Sequence, residues 1–415
     1  MVLDSNITSK RIAKGILAAA PIKSPESMTA SSKLLDLSTA ERESLGLVHT
    51  LREILQQPQT WRRTYEKVQS ASGLITQFLE SGGIGAKSLN VFLVGAGTSD
   101  YIGKSVCALL QKSWLCNVEA VPSTDLLTNM EDHVIPERDY LWISFSRSGD
   151  SSEGVAVLER ALTQFPRIKH LIVTCNRNGK MARSFEIEKN VLSLVLDDEV
   201  NDRGLAMTSS FSNMVIAAQA LAHLRTLTAY GSIVENLAMS ASLVLPPAMS
   251  VCERMVEQGF SKVCFLGTGP LKGAAIESAL KVLELTGGRV MGFAESFLGL
   301  RHGPLSAVDS DTLLVAFLSG DSRRRAFELD LLKEIEDKKL TEKCLIVAPT
   351  AVANVAHNAL HLELSGPISD LYLPPLFVLV GQLLGLLASL REGLRPDEPS
   401  PRGAISRVVS HVTIY

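Results

Sequence analysis

Aromatic side chains are scarce in this chain. Phe, Tyr and Trp together make up 5% of its 415 residues, too few to build the stacking platform that single-stranded nucleic acid requires. Excess charge of one sign is also missing. The net charge of −3 gives no electrostatic footprint for a polyanion. Paired cysteines are absent as well. Cys107, Cys116, Cys175, Cys252, Cys264 and Cys344 are scattered, with no C-x-x-C pair and no close His/Cys cluster. That pattern excludes the common zinc spacings. Their apolar surroundings predict buried, reduced thiols, as in a cytoplasmic protein. No secretory apolar region stands near the N-terminus. Lys10, Arg11 and Lys14, with Ser and Thr nearby, have something of a transit peptide, but Asp4 and the shortness of the basic stretch oppose it. Long hydrophobic runs are nearly absent too. Only Leu371–Leu390 raises a membrane question. Pro374-Pro375 breaks its start and Gln382 interrupts it, so a buried C-terminal helix is expected and no membrane.

What the chain does have is apolar residues enough, at 46%, for about two or three domains. Residues 1–45, rich in Ser, Thr and Lys, read as a loosely packed N-terminal arm. A helical pattern follows from about Ser44 to Glu80. Then the apolar strand Val91-Phe92-Leu93-Val94 enters Gly95-Ala96-Gly97-Thr98-Ser99, and a helix follows from about Tyr101. Val263-Cys264-Phe265-Leu266-Gly267-Thr268-Gly269 repeats this unit 172 residues later, Gly95 against Gly267. Leu141–Phe145 and Leu313–Phe317 stand at the same offset. Leu171-Ile172-Val173-Thr174 has a counterpart in Leu345-Ile346-Val347-Ala348. Such repetition predicts two tandem α/β domains. Continuous apolar strands alternating with helices mean parallel sheets covered on both faces. Ligands of such sheets bind beyond the carboxyl ends of the strands.

At one such end stands Ser146-Arg147-Ser148-Gly149-Asp150-Ser151-Ser152-Glu153. Four serines and a glycine between a strand and a helix start turn amides and hydroxyls toward one point, where the helix dipole favours an anion. No Lys follows the glycine, so this is not a Walker A loop, and a small phosphate ester is the expected ligand. A serine-rich helix cap without a ligand is the competing reading. Gly95-x-Gly97 and Gly267-x-Gly269 lack the third glycine of a dinucleotide fingerprint, with Asp100 and Lys272 in its place.

These residues resemble the sugar isomerase (SIS) domain family, with two copies per chain. Gly95–Ser99 looks like its first strand turn, and Ser146–Ser151 like its S-x-S-G-[ED]-[ST] phosphosugar loop. Glu277–Glu284 looks like the catalytic helix of the isomerase half of glucosamine-6-phosphate synthase, and Arg301-His302-Gly303-Pro304 like its K-H-G-P turn. Within the family the chain is similar to the tagatose-6-phosphate ketose/aldose isomerase group, also described as galactosamine-6-phosphate deaminases. Gln56-Gln57-Pro58-x-x-Trp61, Ala206–Phe211 and Arg402–Val409 carry that likeness. The resemblance runs from about residue 45 to the C-terminus, and no glutaminase domain is present.

The resemblance implies two three-layer αβα sandwiches with parallel sheets, over 46–235 and 236–395, with an arm over 1–45 and a tail over 396–415 that covers the site. It implies that Thr98, Ser99, Ser146, Ser148 and Ser151 hold phosphate. Arg147, where the family often has Gln, adds charge to the site or faces solvent. Glu284 is the expected base at C2 of the open-chain sugar, although Lys281 and Glu284 at i, i+3 also suit a surface ion pair. Glu277 and Lys281, on the same helical face, orient hydroxyls or tune Glu284, and Lys281 is expected to act in catalysis by stabilising developing negative charge. His302 is expected to open the sugar ring, as imidazole suits that proton exchange. In the resembling synthase this His reaches a neighbouring subunit, which implies a homodimer. The spacing from Glu284 to His302 is two residues longer here. Thr208, Ser209 and Ser210 are expected to line the sugar pocket. Arg407, or Ser406 by strict count, stands where the synthase has a tail Lys. Ser319-Gly320-Asp321-Ser322 is an incomplete second copy of the phosphate loop. The implied activity converts galactosamine 6-phosphate to tagatose 6-phosphate and ammonia, with no metal or other cofactor. A plain aldose/ketose phosphate isomerase and a non-catalytic phosphosugar-binding regulator are the alternatives.

Overall fold

The computed structural model describes residues 34, 36–352, 358–409 and 412–415. Most of the arm expected over 1–45 lies outside the described residues. The helical pattern expected from Ser44 to Glu80 is divided into three. Thr39–Leu45 is held by a capping box between Ser38 and Glu41 and ends at Gly46, with φ 60°. Thr50–Leu55 follows, and Gln57–Ser81 begins afresh with Pro58 in its first turn.

Among the described residues, ten strands make two parallel sheets. The first contains β1 (Asn90–Gly95), β2 (Asn117–Pro122), β3 (Tyr140–Ser146), β4 (Lys169–Thr174) and β5 (Val191–Val195). The second contains β6 (Lys262–Gly267), β7 (Met291–Glu295), β8 (Thr312–Phe317), β9 (Cys344–Ala348) and β10 (Asn358–His361). The first runs in the order β2-β1-β3-β4-β5, and the second, read from its far edge, in the order β7-β6-β8-β9-β10. The two orders are the same.

Period-two alternation explains the layers. Val91 and Leu93 of β1, with Val263 and Phe265 of β6, face one continuous core between the sheets. Phe92 and Val94 face an outer cluster on the first sheet, and Cys264 and Leu266 one on the second. Each sheet is therefore covered on both faces, which makes two αβα sandwiches. Their inner helices form a common layer. Residue 235, where the first domain was expected to end, lies inside the helix Leu227–Glu257. The helix Pro374–Arg391 is long and apolar enough to cross a membrane, but 89% of it is buried in the protein. Buried leucines on every side make it a core helix.

The contact that positions the site is between the helices Thr98–Trp114 and Pro270–Leu285. Thr98 at one end meets Lys281, while Ser105 meets Gly273, so the helices run antiparallel. A Cβ at Gly273 would lie 2.4 Å from Ser105 Oγ, so only glycine permits this approach. The C-terminal turn of the second helix is thereby brought to the N-terminus of the first, at the carboxyl edge of the first sheet.

Candidate active site

The serine loop leaves β3 and turns at Gly149, with φ 65°, a conformation that suits glycine. Ser146 Oγ accepts from the Gly149 amide at 3.0 Å, and Ser148 Oγ from the Asp150 amide at 3.2 Å. Each hydroxyl keeps its own proton to donate. Ser151 is the N-cap residue of the helix Ser152–Gln164, yet its side chain makes no capping bond. A serine-rich cap therefore does not account for the loop. The loop lines a cavity together with Gly95, Ser99, Arg407 and Val409. Two helix N-termini, at Thr98 and Ser152, border it. Serine hydroxyls and two helix dipoles border the cavity, an arrangement that favours an anion.

Thr98 links this cavity to the acid–base groups. Its hydroxyl accepts from Lys281 Nζ at 3.0 Å and donates to Glu277 Oε1 at 3.3 Å. Lys281 is fully buried and ion-pairs with Glu284 at 2.5 Å and Glu277 at 3.3 Å. The Lys281–Glu284 pair is thus no surface pair. Burial pulls the Lys281 ammonium down, but the Glu277 and Glu284 charges outweigh it and leave it raised. Burial raises Glu277 to about 8, with the Lys281 charge opposing. Burial thus favours the neutral form of Glu277 and leaves Glu284, the closer carboxylate, as the main partner of Lys281. Glu284 is 24% exposed, enough to meet a substrate, and its charge is felt at Arg147. The arrangement offers a carboxylate base beside a fixed cation, tied through Thr98 to the helix start next to the cavity.

Other expected residues fall elsewhere. Thr208 and Ser209 are fully buried and do not line the cavity at the serine loop. Asp202, which the sequence did not single out, takes both. Its carboxylate accepts from the Thr208 amide and hydroxyl and from the Ser209 and Ser210 amides, each at 2.9 Å. These residues cap the helix Ser209–Leu221 from behind the site. Glu53, also unsuspected, accepts from the Arg203 amide at 2.5 Å, and burial followed by the Asp202 charge raises it to about 8.

Arg147 does not face solvent, and among the described residues it pairs with no acid. It is 5% exposed and donates to the carbonyls of Leu205, at 3.0 Å, and Arg407. Arg407 donates in turn to the carbonyl of Asp202 at 2.8 Å and to Asn201 Oδ1 at 2.7 Å. The Ser152 amide donates to the Val409 carbonyl at 3.2 Å, so the tail closes one wall of the cavity. His302 is exposed on the turn after the helix Phe297–Leu300. Among the described residues no hydrogen bond or ion pair engages its imidazole, and the structure does not join it to Glu284. No short spacing pointed to Asp202, Glu53 or Asp397; the last caps Thr50 through its amide at 2.8 Å, 347 residues away in the chain.

The SIS domain model matches residues 86–224. The D-galactosamine-6-phosphate deaminase AgaS of Escherichia coli is 36% identical over 368 residues, 88% of this chain and 95% of its own. Its namesake in Shewanella sp. strain ANA-3 is 33% identical over 383 residues, 91% of this chain and 95% of its own. The crystal structure of tagatose-6-phosphate ketose/aldose isomerase from Escherichia coli superposes with a TM-score of 0.81 at 34% identity, covering 88% of this chain and 96% of that one. The C-terminal domain of glucosamine-fructose-6-phosphate aminotransferase from Francisella tularensis, at 20% identity and a TM-score of 0.70, shares the fold. Identity at this level over nearly the whole length, on the same two-sheet fold, makes the chain a member of the sugar isomerase (SIS) domain family.

Proposed function

We propose that the protein is an amino-sugar-phosphate deaminase that converts D-galactosamine 6-phosphate and water to tagatose 6-phosphate and ammonia. One observation carries this reading: the buried Lys281 pairs at 2.5 Å with the partly exposed Glu284 and is tied by Thr98 to the glycine turn beside the serine loop. A module that only bound a phosphosugar would need the loop and not the pair. The loop hydroxyls and amides hold the phosphate without transferring it. Glu284 removes the C2 proton of the open-chain sugar, and Lys281 stabilises the charge that develops. Reprotonation at C1 gives a ketimine at C2, and its hydrolysis releases ammonia and the ketose. His302 opens the ring. Its exposure and lack of partners support a role in the site of a second subunit, as in a homodimer. The matching strand orders support an origin by duplication. Six free thiols, five of them buried, support a reducing, cytoplasmic setting.

The test is to incubate the purified protein with galactosamine 6-phosphate and measure ammonia and ketose. Release of both, lost in Glu284→Gln, is expected. Tight binding without turnover, unchanged in Glu284→Gln, would leave a phosphosugar-binding regulator. Ketose formed only from a 2-hydroxy sugar would leave a plain isomerase.

A further inference from the structure

We propose that Arg147 is a positioning residue that couples phosphate binding to closure of the C-terminal tail over the site. The proposal rests on the phosphate role given to the serine loop above. Arg147 stands inside that loop, between Ser146 and Ser148, yet its two terminal nitrogens point to backbone carbonyls rather than to an anion. One carbonyl is that of Leu205, in the segment that precedes the Asp202-capped helix. The other is that of Arg407, in the tail. The guanidinium therefore ties three stretches of chain that are far apart in sequence.

Its charge is not balanced by these bonds. Both acceptors are neutral, and Nε is buried with no hydrogen-bond partner among the described residues. The charges of Asp202 and Glu284 are felt at Arg147 without a direct bond, and the Asp202 carboxylate is already taken by the cap it forms. A second guanidinium, Arg407, lies close enough to repel it. A cation so buried calls for a counter-ion. The cavity that both arginines line is bordered by Ser146, Ser148 and Ser151, and a phosphate dianion there supplies one. With the anion in place, the same two forks that carry the tail carbonyl and the Asn201–Asp202 segment are held more firmly. Linkage makes the effect mutual: phosphate tightens the tail by the factor by which the tail tightens phosphate.

The experiment uses the full chain and inorganic phosphate, with hydrogen exchange of the 404–409 amides as the readout. In the wild type, saturating phosphate slows this exchange about tenfold or more, as expected when a weakly held segment is tied down. Arg147→Gln still binds phosphate through the hydroxyls, but phosphate then changes tail exchange by less than about twofold. Arg147→Lys, which keeps the charge and loses the fork, falls between the two and shows that the fold survives. Equal protection of the tail in wild type and Arg147→Gln overturns the proposal. So does loss of phosphate binding in both variants, which would make Arg147 a direct ligand. The readout needs no turnover. Tail protection without ammonia release would sink the deaminase reading alone, and turnover with a tail indifferent to phosphate would sink the coupling alone.

Discussion

The Ser146–Ser151 and Ser319–Ser322 loops leave strands in corresponding positions, β3 and β8, of two sheets with one strand order. The glycine turns beside them have the same backbone. Gly97 stands at φ 54°, ψ −124°, and Gly269 at φ 58°, ψ −126°. What differs is who accepts from the loop donors. In the first loop, no described residue accepts from the hydroxyls of Ser146 and Ser148. In the second, the chain supplies its own acceptors. Asp370 accepts from the Ser319 hydroxyl and from the Gly320 amide at 2.8 Å, and Glu328 accepts from the Ser319 amide at 2.8 Å. Arg324 pairs with Asp370 at 2.9 Å. Two internal carboxylates thus occupy the place where the first loop would hold phosphate. The second loop's donors are satisfied from within, whereas the first loop's hydroxyls border a cavity.

The helices differ in a complementary way. Carried back by the 172 residues that separate the repeats, Glu277, Lys281 and Glu284 fall on Ser105, Leu109 and Lys112. The helix with the open cradle lacks the acid–base set, and the helix with the set lacks an open cradle. Their antiparallel packing brings the two incomplete halves together once. Glu284→Gln therefore gives the largest effect, a fall in kcat of roughly a hundred- to ten-thousand-fold in ammonia release, with KM little changed. Lys112→Gln, an exposed change at the corresponding position, leaves kcat as it was. Equal losses in both would dissolve the asymmetry.

The loops themselves give the next effect. Ser148→Ala raises KM about tenfold or more, the cost of one hydrogen bond to a charged group, while kcat stays within a few-fold. Ser319→Ala changes neither constant. A rise in KM from Ser319→Ala would mean that the second cradle also takes substrate. Asp370→Asn acts on stability and not on turnover. It removes the charge that Ser319, Gly320 and Arg324 share, and about 1–3 kcal/mol should be lost, read as a lower denaturant midpoint at unchanged KM.

Much of this was legible in the chain, for physical reasons that also mark where legibility stops. The strands around Val91, Leu141, Val263 and Leu313 are buried on both faces, so their apolar runs announce them. β2 mixes exposed and buried residues along its length, and such an edge strand leaves no continuous run to read. The serine loop carries its chemistry in consecutive residues. The spacing of Lys281 and Glu284 shows that they can pair, but the burial of Lys281 comes with the close packing of Gly273 against Ser105, which no spacing reveals. Thr208 and Ser209 were placed by likeness alone. Their true partner, Asp202, lies six residues before Thr208, in a cap geometry without a fixed sequence pattern. Arg147 was read from its neighbours in the loop, but its side chain is governed by residues 58 and 260 positions away.

The last contrast concerns Glu277, whose counterpart Ser105 donates its hydroxyl to the Tyr101 carbonyl at 2.8 Å and does not titrate in this range. Burial raises Glu277 from the ordinary 4.5 to about 8. Between those values the folded protein holds a proton that the unfolded chain has released. Stability must then fall as pH rises through this window and level off above it. From pH 7 to 9 the wild type should lose about 1 kcal/mol on this account, measured by denaturant midpoints at each pH. Glu277→Gln keeps a neutral group of the same shape, so that part of the fall disappears. Ser105→Ala leaves the fall intact. If the wild type and Glu277→Gln lose stability in parallel, Glu277 is ionised in the folded state. The buried cluster would then carry two carboxylates against one ammonium, and Lys281 would be shared between them rather than committed to Glu284.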